Sequence, residues 1–205
     1  MRRTWLLRLL HRFACACVLI AGLAMTQAMA QASPPPLPPG DDAPARAQRL
    51  DELFARLKTT KAEEDGDEIV SQIWKAWQQS GSAELDGAMQ RSILLMGQGL
   101  APLALPILDG IVAQKPDWAE GWNKRATVLY LMGEYDRSLA DIDRVLALEP
   151  RHFGALAGIG LIRIEKGETR EALAVFRRAL AVNPFLRERY GIIPALEKEL
   201  GEKPI

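Results

Sequence analysis

The chain has 205 residues, with 26 basic and 26 acidic side chains and 48% hydrophobic residues. With no excess of basic residues and no basic stripe along the chain, nucleic acid is a poor candidate for a partner. Two cysteines in 205 residues exclude a small fold stapled by disulfides.

The first thirty residues read as a secretory signal. Met1 to Arg12 carries four arginines and no carboxylate, Phe13 to Met25 is uncharged and apolar, and Ala28-Met29-Ala30 is a small-x-small cleavage site. Cleavage after Ala30 is expected, leaving Gln31 first and 22 basic against 26 acidic side chains. Cys15 and Cys17 leave with the signal, so stability must come from packing alone. The apolar run is short for a membrane span. Membrane contact is therefore expected only through the signal, before cleavage.

Residues 31–44 form a Pro-rich linker, Ser33-Pro-Pro-Pro-Leu-Pro-Pro-Gly40 and onward to Pro44, stiff and spacer-like. Residues 45–84 hold two amphipathic helices. Leu50, Leu53, Phe54 and Leu57 mark the first; Ile69, Val70, Ile73, Trp74 and Trp77 mark the second. They read as an N-terminal cap or a degenerate repeat. The run Glu63-Glu64-Asp65-Gly66-Asp67-Glu68 lacks the ligand spacing of a calcium loop and suits a helix entry, where the macrodipole favours carboxylates.

From residue 85 onward the chain repeats itself. Pro116, Pro150 and Pro184 are 34 residues apart. Gly99, Gly133 and Gly167 keep the same step, as do Leu108, Ile142 and Phe176, and Ile111, Val145 and Ala179. Each unit predicts two helices, A and B. Glycine ends helix A in a left-handed turn, and proline stops helix B. Ala126, and Gly160 one period later, are small so that helix B can lie close. In the first unit Pro102 suits a first turn, whereas Pro106 is expected to distort or delay helix B.

A 34-residue helix–turn–helix period resembles the tetratricopeptide repeat (TPR) family over about Leu85 to Leu200. The resemblance implies an all-α solenoid with capping helices at both ends. Repeat 1 covers 85–118, repeat 2 covers 119–152, repeat 3 covers 153–186, and a C-terminal cap and tail cover 187–205. It also implies a protein or peptide partner held in the concave groove formed by the A helices. On the family grid that groove falls on Met89, Ile93 and Met96 in repeat 1, Asn123, Thr127, Tyr130 and Leu131 in repeat 2, and Ala157, Leu161 and Ile164 in repeat 3. The alternative is a groove filled by the protein's own C-terminal helix. Arg125 stands where the family often has a large aliphatic residue.

Nothing in the sequence is arranged for catalysis. It has no glycine-rich phosphate loop, nucleophile elbow or zinc motif, and His152 is the one histidine after the signal. No catalytic residue, metal site, cofactor or small-molecule substrate is expected. The reading is a non-catalytic adaptor of the periplasm, in the cell envelope. Its second form is a self-associating or obligate structural subunit whose partner covers the Trp74, Trp77 and Trp118 region.

Overall fold

The structure is a computed structural model and describes residues 43–202. The signal, most of the linker and the last three residues lie outside this range. Among the described residues all regular structure is helical.

Six helices form the three repeats. Helices α3 (Ala83–Gly97) and α4 (Ala101–Gln114) make repeat 1. Helices α5 (Ala119–Leu131) and α6 (Tyr135–Leu148) make repeat 2, and α7 (Phe153–Glu165) and α8 (Thr169–Val182) make repeat 3. Gly99, Gly133 and Gly167 have φ of 74°, 77° and 76°. Each closes the same turn: Leu100, Glu134 and Glu168 donate their N–H groups to Leu95, Leu129 and Arg163. A side chain at any of these glycines would be strained, so the period in glycine is a period in backbone geometry.

The pairs close on small residues. Ala126 is buried and its carbonyl accepts the Ser138 hydroxyl at 2.8 Å, tying α5 to α6. A Cβ on Gly160 would sit 2.6 Å from the Phe176 ring. The Phe176 side chain, larger than its equivalents Leu108 and Ile142, uses the room that glycine leaves.

Helix α4 corrects the expectation for Pro106. The helix runs unbroken through it. Pro102 and Pro106 are both exposed, so the Pro102 carbonyl that Pro106 cannot bond faces water instead of the core.

The N-terminal helices α1 (Ala43–Thr59) and α2 (Glu63–Trp77) form a hairpin. It does not stack on repeat 1. Leu50, Leu53, Leu57, Ile69, Ile73 and Trp77 share one core with Phe153, Leu156 and Ala157 of α7. The hairpin therefore caps the solenoid across its inner face. Behind repeat 3, a 3-10 turn (Arg187–Tyr190) and α9 (Ile192–Leu200) cover α8, with Ile192, Ile193 and Leu196 buried. Pro194 falls in the first turn of α9, where its missing N–H costs nothing.

Candidate protein-binding surface

The hairpin enters at the start of the A helices. Trp77 stacks flat on His152, with centroids 4.0 Å apart and planes 12° apart. Trp74 meets His152 and Phe153 edge-on at 5.6 and 5.4 Å. The Trp118 indole N–H donates to the Trp77 carbonyl at 2.7 Å. Gly154 gives Trp74 its space, since a Cβ there would lie 2.5 Å from the indole. Gly66 does the same for Phe185, again at 2.5 Å. Ion pairs edge the interface: Asp51 with Arg151 at 2.7 Å and Glu63 with Arg189 at 2.7 Å. The region of Trp74, Trp77 and Trp118 is thus covered by this chain itself, which corrects the expectation of an external partner there. The occupant is the N-terminal hairpin and not the C-terminal helix.

Beneath the stack lies a buried polar cluster. Glu120 is fully buried. Its Oε2 accepts from Asn123 Nδ2 at 2.8 Å and lies 3.2 Å from His152 Nε2, while Lys124 Nζ is 2.8 Å from its Oε1. His152 Nδ1 accepts the Ala155 N–H at 3.1 Å and caps α7, which places the ring proton on Nε2, facing Glu120. Burial alone would raise the Glu120 pKa. The Lys124 charge and then the His152 hydrogen bond outweigh it and hold the carboxyl at about 2. This cluster is a structural joint between repeats 2 and 3, closed on top by Trp77.

Arg125 explains its own departure from the family pattern. It pairs twice with Asp141, both contacts at 2.8 Å, and with Asp109 at 2.9 Å, so one guanidinium fastens α4, α5 and α6. Asp109 and Asp141 therefore face the same cation from neighbouring repeats.

The ten groove positions divide. Met89, Met96, Asn123 and Ala157 are buried and offer no free surface. Leu161 and Ile164 are half-buried against the core that includes the hairpin, and Ile93 is half-buried against the core of repeat 1. Thr127 bonds back to the Asn123 carbonyl at 2.9 Å. Tyr130 is half-buried, 5.7 Å from Tyr135, with its hydroxyl 3.4 Å from Glu165; Leu131 is exposed. What stays accessible is the C-terminal half of the A helices, with Leu131 exposed and Thr127, Tyr130 and Ile164 half-buried beside it. The grid located the A-helix positions but carried no signal for the hairpin. The small residues Gly66 and Gly154, where rings enter, were the available sign.

Among the described residues no group of three or more His, Cys, Asp or Glu is placed to hold a metal ion, and no helix is long and apolar enough to cross a membrane. No family model matches the chain. A curated relative does: a TPR repeat-containing protein of Rhizobium etli is 41% identical over 154 residues, covering 75% of this chain and 76% of its own length. With three stacked 34-residue helix pairs, the chain belongs to the tetratricopeptide repeat family. Proteins of this family are scaffolds for protein–protein interaction.

Proposed function

We propose that the protein is a non-catalytic adaptor of the cell envelope, exported to the periplasm, which holds a peptide or helix of a protein partner on the open half of its inner face. The observation that carries this reading is the strip at Thr127, Tyr130, Leu131 and Ile164. It sets the half-buried Tyr130 ring and the exposed Leu131 side chain beside a Tyr130–Glu165 hydrogen bond, on helices packed on the core below. Rigid apolar anchors with few polar groups are what a bound peptide needs. The Arg-rich start and Ala28-Met29-Ala30 support export.

The test is recovery of partners from periplasmic extract with wild type and with Tyr130→Ala/Leu131→Asp. A recurrent partner that the wild type binds at least about tenfold tighter in calorimetric titration, at equal melting temperature, supports the groove. Equal affinity of both proteins moves the binding surface elsewhere.

A further inference from the structure

Helix α3 shows to solvent the face that α5 and α7 bury. Leu94 is 62% exposed. Its equivalents one and two periods later, Val128 and Ile162, are fully buried against the preceding repeat. Gly121 shows how tightly that contact is made: a Cβ there would meet Ile111 of α4 at 3.0 Å. Its counterpart in repeat 1, Gly87, meets only its own helix neighbour Arg91. Repeat 1 has no preceding helix because the hairpin lies on the inner face.

The start of α4 departs from the other repeats in the same direction. Leu100 and Leu103, 42% and 58% exposed, stand where repeat 2 has Glu134 and Arg137 and repeat 3 has Glu168 and Glu171. No charged side chain occurs from Ser92 to Leu108. Leu94, Leu100 and Leu103 thus make one end of the solenoid apolar where its other turns are charged.

We infer that this end is where two copies of the chain meet, about a two-fold axis. The exposed face of α3 is of the kind on which this chain already packs its own B helices, α4 onto α5 and α6 onto α7. Head-to-tail stacking would need α8 of the second copy. That helix is covered by α9, through Ile192, Ile193, Leu196 and the Arg177–Glu197 pair at 3.1 Å. Helix α4 buries Ile111 and Val112 against its own α5, but its Leu100–Leu103 side is exposed, so that side of each α4 lies on the α3 of the other copy, with Leu94 against Leu103. In a two-fold contact Leu94 meets Leu103 and Leu103 meets Leu94, and only groups at the axis meet their own kind; with no charge from 92 to 108 and Arg91 at the border of the patch, such a contact brings no like charges together. Three leucines a side is small against the ~800 Å² per partner of a standard interface, so the dimer is weak and depends on concentration. This inference stands apart from the groove reading and uses a different surface.

Sedimentation velocity of the full chain under reducing conditions, from about 1 to about 300 μM, tests it. The wild type is expected to rise from the mass of one chain to that of two and stop. Leu100→Glu/Leu103→Arg copies the residues of repeat 2, which that repeat folds with. It is expected to stay monomeric, at least about a hundredfold weaker in self-association, with an unchanged melting temperature. A wild type that is monomeric throughout, a dimer that survives the substitutions, or a ladder of growing species would each overturn the inference. So would co-sedimentation of a monomeric wild type, but not the variant, with phosphatidylcholine vesicles, which would assign the face to lipid.

Discussion

The Trp77 indole lies flat on the His152 imidazole at 4.0 Å, joining a helix that precedes the repeats to the N-cap of α7, where repeat 2 meets repeat 3. Trp77 is nearly fully buried, and His152 is held by its own cap on α7 and by Glu120. The stack therefore links hairpin, repeat 2 and repeat 3 through one point.

Removing that point should free the hairpin first. Trp77→Ala is expected to cost about 3–5 kcal/mol, the usual range for emptying a buried tryptophan site. Hydrogen exchange should show lost protection in α1 and α2, with α5 and α6 still protected, and proteolysis should gain a site in the 78–82 linker. Uniform loss along the chain would mean that the hairpin is not a separate unit.

Arg125 is expected to matter through the carboxylate it covers. Arg125→Ala leaves the buried Asp141 without its bidentate partner. A loss of about 2–4 kcal/mol follows from stranding a buried charge. Arg125→Leu/Asp141→Leu should recover most of it, because an apolar pair replaces a buried ion pair at little cost. Chemical denaturation of the three proteins measures this. A double variant as unstable as the single one would contradict it.

Acid should act through Glu120. Its carboxyl is held at about 2 in the fold against 4.5 for an ordinary glutamate. A lowered carboxyl contributes its full stabilisation above the unfolded value and loses it as pH falls through the folded one. The contribution is of order 3 kcal/mol at neutral pH. Glu120→Gln should therefore be less stable than wild type at pH 7, with the gap closing between pH 4.5 and 2. Denaturation at a series of pH values checks it; a gap independent of pH would refute the assignment.

The 34-residue step made the helix pairs legible, because glycine turns and proline stops act locally and repeat with the backbone geometry. Arg125 was visible as a departure, but its reason was not, since Asp109 and Asp141 become neighbours only when two repeats stack. Pro106 misled because it lies on the exposed face of α4, where water can take the Pro102 carbonyl that it leaves unbonded. The inner-face hairpin was the largest omission. The spacing of Ile69, Ile73, Trp74 and Trp77 says which side of α2 seeks burial and says nothing of what buries it. For the same reason Asn123 stood among the open positions on the grid, whereas its amide belongs to the buried Glu120.

Export is tested at the N-terminus. Protein purified from periplasmic extract is expected to begin at Gln31, from the Ala28-Met29-Ala30 site. A full-length chain recovered with the membrane would replace the cleaved form with an anchored one.

The chain's own N-terminal hairpin occupies half of the groove. The most direct test of this placement is a nuclear Overhauser measurement on the folded protein between the Trp77 indole protons and the His152 ring protons. The account predicts cross-peaks between them, with the His152 signals shifted upfield by the indole ring current and returned towards ordinary values in Trp77→Ala. Absence of cross-peaks, with His152 at ordinary shifts in the wild type, would show that the hairpin lies elsewhere and that the whole inner face is open.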